Sequence, residues 1–299
     1  MTFADKLSYV VEELRKNWSD RMWWRHRIGN RVNGAFNLNV HPGRGGSTYV
    51  SDAEWDLLIV LDGCRADLFE EVVDTDRFDS YRRVKSPGSK TPEWAVQNFG
   101  DGTHADTVYI ASNGQVSNAL DPTFHRMIEV WQTTEDVPYP EDITRAAKAA
   151  HRDYPDKRII AHYLQPHRPF IVSEDRFSEG FTDNPWQALA VGDVDRDTVW
   201  DLYRRNLEVV VDDAFELAES IPGRVVVTSD HGNLVGERTW PVPIKMYGHP
   251  GGIRHPGLID VPWGVIESDE RPTITASDVG EIDADEDGVQ EHLADLGYL

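Results

Sequence analysis

Residues 56–62 read DLLIVLD and residues 224–231 read RVVVTSDH, and these two stretches decide the fold. Each is a short apolar run that ends abruptly in carboxylate or imidazole side chains, which is typical of strands buried on both faces of a parallel sheet. Runs at 107–111, 158–164 and 261–266 have the same character. Patterns of helical spacing lie between them, at 66–73, 92–99, 143–151 and 199–221. We therefore predict an α/β fold, with a central, mostly parallel sheet and helices on both faces.

The amino-acid composition favours a globular protein and excludes several kinds of site. The chain has 299 residues, of which 39% are apolar, and this is enough for a sizeable core. Its single cysteine, Cys64, excludes an internal disulfide framework and a cysteine-rich zinc site. With 52 acidic and 30 basic residues the net charge is −22, which disfavours nucleic-acid binding. Only seven of the basic residues are lysine, and this balance predicts a protein that stays soluble in the salt-rich cytoplasm of a halophilic archaeon.

We predict a main domain over residues 51–299, which follows a distinct N-terminal segment and ends in an acidic C-terminal segment. Residues 1–50 form a basic, tryptophan-rich extension with helical spacing, and residues 267–299 form an acidic C-terminal segment with 11 acidic residues and one basic residue. The run DADEDG at 283–288 imitates the start of an EF-hand loop, but its twelfth position is Ala294, so no calcium hand is predicted. The last nine residues read as a short amphipathic helix.

Residues 15–31 are unusual in this acidic chain, because they hold six basic residues, one acidic residue and three tryptophans. Two interpretations stay open. The segment contacts an anionic membrane surface, with indoles at the headgroup level, or it packs on the main domain and its arginines pair with acidic residues there. No apolar run reaches the roughly 18–20 residues of a membrane-spanning helix, and we expect no secretory signal in the first 16 residues, because acids and bases stand inside their apolar stretch. We therefore expect a cytoplasmic protein, peripheral at the inner membrane face under the first interpretation.

Ligand-type side chains follow two of the predicted strands. Asp62 follows the first strand, and Asp230 and His231 follow the run at 225–228. Ligands bind beyond the carboxyl ends of the strands in an open α/β sheet, so the three side chains should meet at one edge. Two carboxylates and one imidazole suit a divalent metal ion. A carboxylate after a strand is also a common helix cap, and for Asp62 alone this is an equal alternative.

A possible nucleophile lies in SPGSKTPEW, residues 86–94. Pro92 suits the first position of a helix, which puts the Thr91 hydroxyl at a helix N-terminus, where anions are favoured. A hydroxyl beside a metal ion can attack phosphorus or sulfur. Two alternatives remain: Thr91 is only a helix cap, or Ser89 is the nucleophile.

Two histidine-containing clusters follow strands or border the same edge. His167 and Arg168 lie in HYLQPHRPF, and His249 and His255 lie in YGHPGGIRHP. A single histidine of this kind is more often structural than functional, but all four side chains could reach the edge that carries Asp62.

Together these motifs resemble the alkaline phosphatase superfamily, in its sulfatase-like branch. LLIVLDGCRAD, SPGSKTPEW, YLQPHRPF, TSDHGNLVGE and GHPGG occur in the order seen in that family, and the closing LADLGYL is similar to the end of many members. The resemblance covers residues 52–299. It implies an alkaline phosphatase-like fold and a catalytic role for the main domain.

The resemblance also implies roles for single residues. Asp62, Thr91, Asp230 and His231 are expected to hold one divalent ion (Mn, Zn, Mg or Ca), and a second ion is left open. Thr91 is the expected nucleophile. Further catalytic roles are implied for Arg65, His167 and His249. Substrate-binding roles are expected for Ser89, Lys90, Arg168 and His255.

The expected function is a metal-dependent phosphoester hydrolase or phosphotransferase. The expected partner is an anionic phosphoester or sulfate ester, glycan-linked or lipid-linked. Sulfatases of the family carry Cys or Ser in a C/S-x-P-x-R pattern, which this chain lacks, so sulfatase activity is the weaker alternative. A third alternative is a non-catalytic metal-binding or assembly module that keeps the fold.

Overall fold

The structure is a computed structural model that describes residues 15–19, 21–39, 46–134, 137–173, 184–277 and 279. The predicted features at 3–14, 283–288 and 291–299 lie outside these residues.

A seven-stranded central sheet organises the described residues, in the order β2-β9-β6-β1-β5-β3-β4. Strands β1, β5, β6, β3 and β4 are parallel, whereas β9 runs antiparallel to both β6 and β2. The predicted α/β class with a mostly parallel sheet is therefore confirmed, and the run at 261–266 is a strand of the opposite direction. The strands of this sheet are β1 (Leu57–Leu61), β2 (Ser80–Lys85), β3 (His104–Ala111), β4 (Phe124–Glu129), β5 (Arg158–Tyr163), β6 (Val225–Thr228) and β9 (Asp260–Ile266).

Strands β2 and β4, which lie at the two edges of the sheet, are not predicted by the sequence pattern. Strand β2 reads SYRRVK and is mostly exposed, so it needs no apolar run. A separate hairpin, also not predicted, pairs β7 (Leu234–Arg238) with β8 (Lys245–Gly248).

Strand β1 shows why the central strands are apolar throughout. Leu57, Ile59 and Leu61 pack into the core on one face of the sheet. Leu58 and Val60 pack into a second core on the other face. Both faces are covered, so every position of the strand is buried, and each such side chain contributes roughly 1.5–3 kcal/mol.

Helices cover both faces of the sheet, as predicted. The first core receives residues from α3, α5, α6 and α7, and the second core receives Trp94, Ala95 and Phe99 from α4. Helix α7 is the longest of these, and its N-cap Asp195 accepts a hydrogen bond from the backbone N–H of Thr198 at 2.8 Å. These helices are α3 (Ala66–Val72), α4 (Thr91–Phe99), α5 (Pro140–Asp153), α6 (Pro185–Val191) and α7 (Arg196–Ser220), with a short α8 (Pro256–Ile259) before β9.

The N-terminal extension is helical over its described part: α1 (Arg21–Ile28), a π-helical turn (Gly29–Asn33) and α2 (Gly34–Asn39). Asn33 donates to the backbone carbonyl of Val242 at 2.8 Å, and this contact fastens the extension to the main domain. No helix within the described ranges has both the length and the apolar content needed to cross a bilayer.

Candidate metal and catalytic site

The register of the sheet brings the two predicted carboxylates together. Val60 of β1 is paired with Thr228 of β6, so Asp62 and Asp230, each two residues further on, extend from the same edge. Asp62, Asp230 and His231 are all completely buried. Their ligand atoms lie within 4.8 Å of one another, with His231 Nε2 3.6 Å from Asp62 Oδ1 and 3.4 Å from Asp230 Oδ2.

One oxygen of each carboxylate is held by the protein and the other is not. Asp62 Oδ2 accepts from Asn113 Nδ2 at 3.1 Å. Asp230 Oδ1 accepts from the backbone N–H groups of Gly63 at 3.0 Å and His231 at 2.8 Å. Asp62 Oδ1 and Asp230 Oδ2 are buried without a hydrogen-bond partner. An orphaned pair of carboxylate oxygens is costly unless a cation lies between them, so the donor set fits a divalent metal ion.

The hydrogen bonds of His231 orient its ring for the same purpose. Its Nδ1 lies 3.0 Å from the backbone carbonyl of Gly232, so Nδ1–H donates and Nε2 keeps its lone pair toward the two carboxylates. A metal-ligating histidine is commonly fixed in this way through its other nitrogen.

A second buried histidine, His162 of β5, also faces the carboxylates. Its Nε2 lies 4.0 Å from Oδ2 of both Asp62 and Asp230 and has no hydrogen-bond partner. Its Nδ1 lies 2.6 Å from the hydroxyl of Tyr109 on β3. Burial lowers the pKa of His162 to about 4, so the imidazole is neutral at neutral pH.

The segment HYLQPHRPF predicts His167 and Arg168 as site residues and does not single out His162, its first residue. The signal that could have found His162 is a titratable side chain inside an otherwise apolar, doubly buried strand, since such a side chain needs a specific partner. Asn113 and Asn233, which also line the site, carry no comparable signal.

The pKa values of the two carboxyl groups shift in opposite directions. Burial, together with the charge of Asp230, raises the pKa of Asp62 well above its usual value. Burial also acts to raise the pKa of Asp230, but the neighbouring imidazoles and the hydrogen bonds that it accepts outweigh burial and lower it. The metal-free site therefore disfavours a second negative charge, which a divalent cation would stabilise.

Thr91 lies beside this group at the first position of helix α4, and Lys90 occupies the N-cap position. The Thr91 hydroxyl is 3.3 Å from His231 Nε2. The preceding turn is tied to the site, because the Ser86 hydroxyl donates to the backbone carbonyl of Asp230. Lys90 and not Thr91 stands at the N-cap, so the alternative in which Thr91 is only the helix cap does not hold, and the Thr91 hydroxyl faces the ligand group.

Ser89, the rival hydroxyl, has other partners. Its Oγ lies 2.9 Å from Glu93 Oε2 and 3.1 Å from the backbone carbonyl of Pro250, and its backbone N–H also donates to Glu93. The turn is close-packed at Gly88, where an added Cβ would lie 2.4 Å from the backbone nitrogen of Trp94.

His167 and His249 lie next to His231, as the sequence suggested. The ring centroids of His167 and His249 are 5.0 Å apart, and those of His231 and His249 are 4.7 Å apart. His167 Nδ1 donates to the backbone carbonyl of Arg168 at 2.7 Å, and His249 Nδ1 lies 2.8 Å from Asn233 Oδ1. In the neutral ring each therefore uses Nε2 as its acceptor nitrogen.

Burial keeps these two histidines neutral, and the charges around them act in the same direction. Burial, followed by the neighbouring cations, lowers the pKa of both His167 and His249 well below the usual value. Arg168 acts on both, and Lys90 acts on His249. Arg168 is itself buried and its charge also reaches Asp62. Two cations therefore border the ligand group.

Arg65 and His255 are engaged elsewhere. The Arg65 guanidinium donates to Asp67 at 2.7 Å, to Glu237 at 2.7 Å and to the backbone carbonyl of Asn233 at 3.0 Å. His255 Nδ1 accepts from the backbone N–H of Gly257 at 3.0 Å, at the N-terminus of α8. The contacts of Arg65 join the segment after β1 to the segment after Asp230.

Comparison with known proteins gives likenesses of fold. No protein-family model matches the chain, and no curated protein matches it. The integral membrane lipooligosaccharide phosphoethanolamine transferase A from Neisseria meningitidis is similar to this chain at 13% identity and a TM-score of 0.46, over 88% of this chain and 59% of its own length. This chain thus spans about three fifths of that protein.

Two further solved structures are similar at the same level. The C-terminal periplasmic domain of phosphoethanolamine transferase EptC from Campylobacter jejuni has 17% identity and a TM-score of 0.48, over 71% of this chain and 78% of that one. A protein from Vibrio parahaemolyticus has 12% identity and a TM-score of 0.43, over 83% and 72%. Identities and TM-scores of this size carry no conclusion about activity. The Vibrio protein is described as a member of the alkaline phosphatase superfamily, the family that the sequence motifs resemble.

Proposed function

We propose that the protein is a metal-dependent phosphoester hydrolase or phosphotransferase with Thr91 as its nucleophile. One observation carries the proposal. The Thr91 hydroxyl lies at a helix N-terminus, 3.3 Å from His231 Nε2, beside two buried carboxylates whose inward oxygens have no hydrogen-bond partner. A hydroxyl, an anion-binding helix end and a cation site in one place are what phosphoryl transfer needs.

Asp62, Asp230, His231 and Thr91 would hold the metal ion. When bound, a divalent ion would lower the pKa of the Thr91 hydroxyl and polarise a phosphoryl oxygen. A donor set with three oxygens and one imidazole suits Mn or Mg, and Zn and Ca are the alternatives. His167 and His249 would contact the substrate or hold a second ion.

The anionic substrate would be held by charge and by the helix. Lys90 and Arg168 border the ligand group, and the N-terminus of α4 favours negative charge. Arg65 differs, because its guanidinium is bound to two carboxylates and a carbonyl. We therefore propose Arg65 as a positioning residue, and His255, which accepts from a backbone N–H, as a helix cap.

The reaction would proceed in two displacements. The Thr91 Oγ1–phosphorus bond forms while the bond from phosphorus to the leaving alcohol breaks, and the proton of the Thr91 hydroxyl is transferred to the leaving oxygen. Water in a hydrolase, or an alcohol acceptor in a transferase, then attacks phosphorus. The Thr91 Oγ1–phosphorus bond breaks, and the proton of the attacking group returns to Thr91 Oγ1. His249 Nε2 would accept a hydrogen bond from the attacking water or alcohol and orient it, because burial lowers the pKa of His249 and keeps the ring neutral.

The chemistry of the site also indicates the class of substrate. A phosphoester linked to a lipid or a glycan is the substrate class that we propose, and a sulfate ester is the alternative. The cytoplasmic location and the halophilic source remain predictions from the composition.

The experiment compares p-nitrophenyl phosphate, bis(p-nitrophenyl) phosphate and p-nitrophenyl sulfate in molar KCl, with Mn, Zn, Mg or Ca. Thr91→Ala is tested beside Ser89→Ala, which removes a nearby hydroxyl with different partners. We expect metal-dependent phosphoester turnover that falls roughly a thousandfold or more in Thr91→Ala, with Ser89→Ala remaining active. Mass spectrometry of the quenched reaction should find the phosphoryl group on Thr91.

Other outcomes separate the alternatives. Loss of turnover in Ser89→Ala but not in Thr91→Ala would move the nucleophile to Ser89. Turnover of the sulfate alone would identify a sulfatase. Metal binding without turnover or phosphorylation of Thr91, also with lipid-linked and glycan-linked phosphodiesters as donors, would favour the non-catalytic module.

A further inference from the structure

The exposed apolar side chains of the described residues come mainly from the N-terminal extension and the loop that packs against it. Five of the nine belong to the N-terminal extension or to the loop between β7 and β8 that packs against it. All three exposed tryptophans of the described residues are among the five. The exposed fractions are 73% for Trp18, 59% for Trp240, 56% for Leu38, 46% for Val32 and 36% for Trp24. These five side chains, with the exposed bases Arg15, Lys16 and Arg31, are named here the N-terminal surface.

Specific hydrogen bonds hold the loop in this surface. Asn33 donates to the Thr239 hydroxyl at 2.8 Å and accepts from the backbone N–H of Val242 at 3.0 Å. Asn37 donates to the backbone carbonyl of Trp240 at 2.9 Å. The Trp240 ring packs edge-on against Phe36, with ring centroids 4.7 Å apart. The exposed indole of Trp240 is thus held in place by the extension.

The N-terminal surface adjoins the candidate site. Asn37 accepts from the backbone N–H of Arg254 at 3.1 Å, and the Arg254 guanidinium donates to the backbone carbonyl of Pro87 at 2.9 Å. Pro87 belongs to the turn that leads to Thr91. Leu38 and Glu93 of helix α4 line the same small cavity of about 80 Å³.

The charge of this surface is opposite to that of the chain. Residues 15–31 hold six basic residues and one acidic residue, in a protein of net charge −22. A symmetric contact with a second copy would place basic segment against basic segment, which is unfavourable. Exposed indoles beside arginine and lysine are instead the side-chain set of proteins that lie in the headgroup region of an anionic bilayer.

We infer that the N-terminal surface docks the protein on an anionic lipid surface. Trp18, Leu38 and Trp240 enter the headgroup region, and the exposed bases contact lipid phosphates. The docked face is the one that adjoins the turn before Thr91, so a lipid-linked phosphoester would reach the proposed nucleophile from the bilayer. Docking itself does not depend on the proposed reaction.

The experiment is co-sedimentation of the full chain with phosphatidylglycerol vesicles and with phosphatidylcholine vesicles, in 0.1 M and 2 M KCl. Arg15→Gln, Lys16→Gln and Arg31→Gln are combined in one variant, and Trp18→Ser, Leu38→Ser and Trp240→Ser in another. Val209→Ser, which changes an exposed apolar side chain on α7, is the matched control. Thermal unfolding verifies that each variant is folded.

We expect tight binding to phosphatidylglycerol in 0.1 M KCl and weak binding to phosphatidylcholine. Removing three bases should weaken binding to phosphatidylglycerol in 0.1 M KCl roughly a hundredfold, since each base contributes about 1 kcal/mol near an anionic surface. The same substitutions should have little effect in 2 M KCl, where charges are screened within about 3 Å. The apolar variant should lose at least about tenfold in both salts, and Val209→Ser should bind like the wild type.

Several results would overturn the inference. These are no sedimentation with either vesicle, equal affinity for the two lipids, or unchanged binding by both combined variants. A dimer in solution that the apolar substitutions dissociate, without vesicle binding, would assign the surface to a second copy. Thr91→Ala should sediment like the wild type, so a failure of docking and a failure of the proposed reaction are distinguishable.

Discussion

Replacing Asp62 by Asn tests the metal site directly. The substitution keeps the size of the side chain and an oxygen that can accept from Asn113, but it removes the charge that faces Asp230. We expect the metal-induced rise in melting temperature to be nearly lost. In the absence of metal, we expect the variant to melt at or above the wild-type temperature, because it removes a buried charge that Asp230 disfavours.

The size of the effect follows from binding linkage. An ion present at 100 times its dissociation constant stabilises the fold by about 2.7 kcal/mol. For a chain of this length, about 2 °C per kcal/mol gives a rise of about 5 °C. If losing one of the carboxylate ligands weakens binding about a hundredfold, the same ion concentration contributes only about 0.4 kcal/mol, or about 1 °C.

The assay is differential scanning fluorimetry after chelation, with and without each of the four divalent ions. Asp213→Asn is the matched control, because Asp213 is a partly buried carboxylate outside the ligand group. Its pKa is also raised, first by burial, and it accepts a hydrogen bond from Thr144. This control should keep the full metal-induced rise. The proposed metal site would be wrong if no divalent ion raised the melting temperature of the wild type. It would also be wrong if the metal-induced rise were undiminished in Asp62→Asn.

The pH dependence of the same measurement has a definite sign. The pKa of Asp62 is higher in the folded protein than in the unfolded chain, where it is about 3.9. The stability that protonated Asp62 contributes is therefore complete below about pH 3.9 and is lost as the pH rises through the folded pKa. A metal ion competes with that proton, so the metal-induced rise in melting temperature should grow over the same pH interval and should be flat in Asp62→Asn.

Three further substitutions test separate parts of the structure. His162→Gln should raise the dissociation constant of the metal about tenfold in calorimetry, because His162 Nε2 faces both carboxylates at 4.0 Å; an unchanged constant would contradict this role. Asn233→Ala removes the partner of His249 Nδ1 and should lower kcat about tenfold without changing metal affinity. A change in metal affinity alone would exclude a role of Asn233 through His249. Gly264→Ala places a Cβ 2.4 Å from the Phe78 ring and should destabilise the fold by about 1–3 kcal/mol in denaturant unfolding, and equal stability would show that the ring moves aside.

The predictable part of the fold was the set of central strands. Runs such as LLIVL and VVVT bury every residue, and only a strand covered on both faces requires that pattern. The edge strands and the β7–β8 hairpin escaped prediction because partial exposure removes this constraint. The direction of β9 was also unpredictable, because a buried strand has the same apolar pattern whether its neighbour is parallel or antiparallel.

The candidate site was predictable where chemistry follows a strand end. Asp62, Asp230, His231 and Thr91 stand together as expected, and their roles remain a proposal. His162 stands inside an apolar, buried strand, which signals that its side chain needs a partner but does not indicate which partner it faces. Arg65 is close in sequence to Asp62, but its guanidinium is taken by Glu237, which lies 172 residues away.

The amino-acid sequence by itself determined the α/β class, the charge of the protein and the residue types at the strand ends, because these depend on local pattern and composition. Only the tertiary structure decided which of those side chains meet. The pairing of β1 with β6 sets Asp62 level with Asp230, and the packing of the extension on the β7–β8 loop exposes Trp240 beside Phe36. Both depend on contacts between segments some 170 to 200 residues apart in the chain, and local spacing carries no information about such contacts.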